Sequence, residues 1–246
     1  ILRCLVGSEM CIRDSFCTAE KKGGILMKST IIACKTLEEE LLYVMESLSM
    51  HPPVVWLESG LHNNPAHLHE RLQEELDKIT GQELVIMAFG FCGNSVLHLK
   101  TGNYTLILPR VDDCISLLLG SVSVKAALNH TNPTYFLSKG WMKGERNIWV
   151  EYQYTVKKYG IETGREIFHA MFGHYSTLGL LDTKICPLDS LMEETEKIAR
   201  TLDLSPKIIP ASTRYLSQLL SGPWPAEQFL QVPADSEIAI EDLYTY

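Results

Sequence analysis

Short apolar runs alternate along this chain with longer stretches of helical period. Thr30–Cys34 is apolar and β-branched, which predicts a strand that ends in a cysteine. Thr36-x-x-Glu39 is a capping-box pattern. Leu37, Leu41, Val44, Met45 and Leu48 then recur at helical spacing, with Glu38, Glu39 and Glu40 near the positive end of the helix dipole. His51-Pro52-Pro53 stops that helix, and Val54–Leu57 predicts a second strand. Asn64-Pro65 supplies an N-cap and a first-turn proline, and Leu68, Leu72, Leu76 and Ile79 form the buried stripe of the next helix. Leu84–Phe89 and Tyr104–Leu108 predict the third and fourth strands, with a short helical piece near Ser95–Leu99 between them. Asp112 or Asp113 is positioned to cap a helix over Ile115–Leu119, stopped by Gly120.

The alternation continues more loosely. Strands are predicted over Thr134–Leu137, which leads into Lys139-Gly140-Trp141, over Ser176–Leu181, over Lys207–Ile209 and over Gln228–Val232. Helices are predicted over Arg146–Lys158, Thr163–Phe172, Leu188–Leu202 and Thr213–Leu220. Strand–helix alternation implies parallel strands with right-handed crossovers and helices on both sheet faces. The expected fold class is therefore α/β: a doubly wound, mostly parallel sheet in two Rossmann-like halves, 27–130 and 131–233, joined near Asn129–Pro133. A single continuous sheet is the alternative. Residues 234–246 read as a loose acidic tail. Ile1–Cys17 carries neither period, and Val6–Ser15 resembles translated sequencing-adapter sequence. Residues 1–26 are accordingly expected to be a non-native or disordered extension, with Met27 as the start.

Charge and cysteine usage narrow the partners. The net charge is −8 and no Lys/Arg block occurs, which argues against nucleic acid. No apolar run approaches the roughly 18 residues of a membrane span. Seven cysteines scattered over 246 residues do not form a disulfide framework, so they read as reduced thiols of a cytoplasmic protein. Setting the first 26 residues aside leaves Cys34, Cys92, Cys114 and Cys186.

Ligands of open α/β sheets gather outside the carboxyl ends of the strands. Cys34, His62, Cys92 and Cys114 all fall just past predicted strand ends. Thiolate and imidazole are the donors that zinc prefers, and they also bind iron and cobalt. These four residues are the candidate metal ligands, with zinc favoured and iron next. The competing reading makes each cysteine a small buried apolar residue and His62 a satisfied polar group at a helix start. In Gly90-x-Cys92-Gly93 the glycines permit close backbone approach, and a thiol at a helix start is activated as nucleophile or ligand. A plain strand-to-helix turn is the alternative. The spacing is neither GxGxxG nor a P-loop, so no nucleotide motif is present. Asp112 is positioned to pair with Arg110, to orient His62, or only to cap a helix. Glu58 reads as a general base or as a solvated loop acid, and Trp141 as a pocket wall or as core. The candidate catalytic residues are thus Cys92, Asp112 and Glu58, and the candidate cofactor contacts are Gly90, Gly93, Arg110 and Trp141.

Several of these motifs occur together in one order: Ile32-Ala33-Cys34, Gly60-Leu61-His62-x-x-Pro65, Gly90-x-Cys92-Gly93, Pro109-Arg110-x-Asp112-Asp113-Cys114-Ile115, Leu119-Gly120-Ser121 and Tyr135-x-Leu137-x-x-Gly140-Trp141. In this the chain resembles the domain-of-unknown-function family 1638 of methanogen and bacterial proteins, over about Ser29 to Val232. The family pattern usually has Tyr where this chain has Phe89. The resemblance implies an intact Cys34, His62, Cys92, Asp112, Asp113, Cys114 and Trp141 set. It also implies company with corrinoid-dependent methyl transfer. The Asp-x-His-x-x-Gly signature of a corrinoid carrier is missing. The expectation is a metal-binding (zinc, iron or corrinoid cobalt) cytosolic protein, an enzyme acting on a small molecule in one-carbon or corrinoid-linked methyl metabolism, with a corrinoid or methyltransferase protein as partner. The alternatives are a non-catalytic metallochaperone or assembly factor, and a metal-free small-molecule binding module.

Overall fold

The computed structural model describes residues 28–144 and 147–244. The expectation for residues 1–26 lies outside the described residues. The chain opens with β1 (Ser29–Cys34), a 3-10 turn (Lys35–Leu37) and α1 (Glu38–Ser47). Next come β2 (Val54–Leu57), a 3-10 turn (Ser59–Asn63) and α2 (Pro65–Lys78). β3 (Leu84–Ala88), β4 (Thr105–Pro109), α3 (Cys114–Leu119) and α4 (Val122–Thr131) complete this half. The first four strands run parallel in the order β2-β1-β3-β4. β1 and β3 are buried at every position, as expected of central strands covered on both faces. The chain steps from β1 outward to β2 and then returns past β1 to β3. The topological switch point, where such sheets bind ligands, therefore falls between the carboxyl ends of β1 and β3.

The second unit is a parallel sheet of β5 (Thr134–Leu137), β6 (Thr177–Asp182) and β7 (Ser205–Pro210), in that order. Its helices are α5 (Lys139–Lys143), α6 (Ile148–Tyr159), α7 (Ile161–Phe172) and α8 (Asp189–Leu202). Period-2 alternation gives this sheet two different faces. Leu137, Leu178 and Leu180 pack with Ile148, Tyr152, Phe168 and Ile198 of its own helices. Phe136, Leu181 and Ile209 join the core of the first sheet. The class is α/β, with a mostly parallel five-stranded sheet and a parallel three-stranded one.

Several expectations are corrected. The second half does not run to residue 233. After β7 the chain returns to the first unit, where α9 (Arg214–Ser221) packs on α1 and α3. β8 (Phe229–Val232) then pairs antiparallel with β4. The acidic tail is not loose over its described part. Ile238 and Leu243 are fully buried, the latter in α10 (Ile240–Tyr244). The backbone around Ile238 exchanges bonds of 2.9 and 3.0 Å with His98 and Leu99. The helical piece near Ser95–Leu99 is instead a turn with left-handed residues at Cys92, Gly93, Asn94 and His98. Thr36 does not cap α1, because its hydroxyl donates to Cys34 Sγ at 3.0 Å. Among the described residues no helix is long and apolar enough to cross a membrane.

Candidate functional site

The loops after β3 and β4 are laced together by backbone bonds, Phe91 N–H to Val111 O at 2.8 Å and Cys92 N–H to Asp112 O at 2.7 Å. This lacing needs Gly90, since a Cβ there would lie 2.4 Å from Asp113 Cα. It brings Cys92 beside Cys114, the first residue of α3, which is capped by Asp113 accepting from Ser116 N–H at 2.9 Å. Cys34 arrives from β1 at the other side of the switch point.

The thiols stand in a row: Thr36 Oγ1 donates to Cys34 Sγ at 3.0 Å, Cys34 neighbours Cys114, and Cys114 neighbours Cys92. Cys34 and Cys114 are 6% and 7% exposed, whereas Cys92 is half-buried and adopts a left-handed φ of 43°. That conformation is unusual for a residue with a side chain and collects at ligand-binding and catalytic positions. The hydrogen bond to Cys114 and then burial push the Cys34 thiol well up. Cys114 is helped toward ionisation by Cys34, but the bond to Cys92, burial and the charges of Cys92 and Asp113 together push it well up.

His62 comes from the turn after β2, where its Nδ1 is hydrogen-bonded to the carbonyl of Ser59. A carbonyl only accepts, so the proton sits on Nδ1 and Nε2 keeps its lone pair. Burial holds the imidazole below its usual range, against the opposing pull of Ser59 and Asp113. The ring meets Trp141 edge-on at 4.6 Å and 73°. Trp141 reaches this place because α5 docks against the turn after β1 at Gly140, where a Cβ would lie 2.0 Å from Thr36 O. Its Nε1–H is buried with no acceptor. The three thiols, His62, Trp141, Asp112 and Asp113 line a cavity of about 340 Å3, whose apolar wall includes Leu68, Phe89 and Ile115.

Other sequence candidates land elsewhere. Gly93 also lines the cavity, while Gly90 serves the loop contact beneath it. Arg110 does not line the thiol cavity. It donates to Ala226 O at 2.7 Å and to Asp242 O, tying the carboxyl-terminal segment to β4. Asp112 pairs with neither Arg110 nor His62. Lys125 of α4 bridges it at 2.7 Å and also binds Asp113. Burial raises the Asp112 carboxyl, but the bonds and charge of Lys125 hold it below the usual range. Glu58 lines an adjoining hollow rather than the thiol cavity. Thr36, Ser59 and Lys125 were not singled out by the sequence. Thr36 was visible there only as a capping residue, and Lys125 lies on a helix that the pattern did not predict.

Among the described residues no group of three or more His, Cys, Asp or Glu is placed to hold a metal ion. What the fold and site define is an α/β protein with three free thiols lining a cavity at its topological switch point. The chain belongs to the family described as "Protein of unknown function (DUF1638)", which matches residues 56–220. His62, Cys92, Cys114 and Trp141 lie inside that match, and Cys34 precedes it. No curated protein and no solved structure matches the chain.

Proposed function

We propose that the protein binds a thiophilic metal ion, zinc or iron, through Cys34, Cys92 and Cys114 with His62 as fourth donor, and acts on a small molecule in the adjoining cavity. One observation supports this reading: Cys34, Cys92 and Cys114, three soft donors from the ends of adjacent parallel strands, line one cavity at the switch point together with His62. Structural zinc sites return roughly 10–16 kcal/mol on binding, enough to draw neighbouring thiols onto an ion. His62 suits the role, being neutral with Nε2 free and Nδ1–H anchored to a carbonyl. Bound there, the ion would supply Lewis acidity toward a thiol or water.

The chain's own groups have narrower tasks. Asp112 is held as a carboxylate by Lys125, so it positions the loop instead of shuttling protons. Trp141 walls the cavity. Glu58 is reserved for the adjoining hollow. Free cysteines favour a cytoplasmic setting, and the family resemblance favours one-carbon or corrinoid-linked methyl metabolism with a corrinoid or methyltransferase protein as partner.

Metal analysis after anaerobic purification tests the reading. About one equivalent of zinc or iron per chain, lost in Cys92→Ser and Cys114→Ser variants that remain folded, supports it. A folded wild-type protein that holds no metal and gains none on reconstitution refutes it. A metal that passes quickly to a competing apo-protein marks a metallochaperone. A second reading, metal-free thiol chemistry, is favoured by the left-handed backbone and half-exposure of Cys92 beside the cavity. Rapid, stoichiometric alkylation of Cys92 in metal-free protein distinguishes it.

A further inference from the structure

Ser59 lines the thiol cavity and also a second hollow of about 640 Å3, walled by Lys35, Glu38, Glu58, Asn63 and Lys143 among others. The two spaces share a further boundary, because Gly140 faces the outer hollow while Trp141 lines the inner cavity. Both volumes fall in the range of small-molecule sites.

The charges lining the outer hollow divide into two sets. Glu39 pairs with Lys143, and also with Lys139 from α5. Lys35, Glu38 and Glu58 form the other set. β1 and β2 pair up to Cys34 and Leu57, so Lys35 and Glu58 both leave the sheet at the same rim. Among the described residues no ion pair joins them to each other or to another side chain. One cation and two carboxylates therefore line the hollow uncommitted. The inner cavity differs in character. Its wall is largely apolar and carries three thiols.

We propose that the joined cavities bind an amino-acid-like zwitterion. Glu58 takes its ammonium group, Lys35 takes its carboxylate, and an apolar or sulfur-bearing side group enters the thiol cavity. This rests on the cavity being the reaction site, and it is independent of the metal.

Isothermal titration of the full chain, metal-free and metal-loaded, tests it with three probes: L-methionine, 4-(methylthio)butanoate, which lacks the ammonium, and 3-(methylthio)propylamine, which lacks the carboxylate. Methionine should bind about tenfold more tightly than either half-molecule, the worth of one charged hydrogen bond. Glu58→Gln should weaken methionine by about that factor and leave the butanoate unchanged, with Lys35→Met showing the mirror pattern with the amine. Equal affinity for all three probes, no binding of methionine, or variants that bind all three like wild type would each overturn the proposal. Methionine binding to a protein that never takes up metal removes the metal reading alone. Metal uptake without methionine binding removes this proposal alone.

Discussion

Replacing Gly90 by alanine tests whether the loop contact builds the site. No positive φ is involved at Gly90, so backbone preference alone predicts little effect. The structure predicts a large one. The new Cβ would lie 2.4, 2.5 and 2.8 Å from the Cα, N and C of Asp113, all backbone atoms that cannot swing aside. Overpacking of this kind costs about 1–3 kcal/mol. Forcing the loops apart also strains the Phe91–Val111 and Cys92–Asp112 hydrogen bonds, at about 1 kcal/mol each. The sum is about 3–5 kcal/mol, or roughly 6–20 °C in melting temperature for a chain of this size. Gly120→Ala is the control. Gly120 has φ +88° and nothing within 4 Å of its would-be Cβ, so only the left-handed conformation is penalised, by about 1–2 kcal/mol. Urea unfolding of both variants, with maleimide labelling of Cys92 in the native state, reads the difference. Gly90→Ala should be the less stable and should label Cys92 faster. A Gly90→Ala protein as stable as Gly120→Ala, with unchanged labelling, would refute the account of how Cys92 is set beside Cys114.

Two further outcomes are expected. Leu243→Ala should cost about 2–5 kcal/mol by urea denaturation, because its side chain is fully buried; a loss under about 0.5 kcal/mol would mean the tail is the loose segment its charge suggests. Glu40 is 1% exposed, and burial above all raises its carboxyl pKa. The folded state then binds the proton more tightly than the unfolded state, so stability falls as pH rises from the ordinary glutamate range to the raised value and stays lower above it. Glu40→Gln should therefore be more stable than wild type at neutral pH and gain nothing near pH 3, where both states are protonated; a gain of equal size at both pH values would contradict this.

The sequence displayed those features whose causes are local. β1, β3 and β4 are continuous apolar runs, α2 carries its Asn64-Pro65 start, and Asp113 caps α3 within three residues. The strand-end rule then sufficed to bring Cys34, Cys92 and Cys114 together, because adjacent parallel strands share a rim. Features with distant causes were hidden. α4 buries none of its residues, so it has no stripe to detect, and Lys125 went unseen with it. Arg110 finds its partners 116 and 132 residues away, so nothing near it in the chain announces them. Glu58 shows how finely a strand end divides its residues. Ser59 and His62 from the turn after β2 line the thiol cavity, while Glu58 lines the neighbouring hollow.

The antiparallel pairing of β8 with β4 also has a meaning in time. A ribosome delivers Pro109 of β4 long before its register partner Phe229. The interval is 229 − 109 = 120 residues, or about 6–24 s at synthesis rates of roughly 5–20 residues per second. Throughout it β4 presents an open edge, with Leu106 and Leu108 in a strand that lacks its last neighbour. The segment made in the meantime, β5 to β7, builds its own sheet instead of closing that edge. The domain begun first is thus finished last. Any nascent chain that stalls before residue 229 carries an unsealed sheet, the kind of surface that chaperones engage and that aggregates form upon.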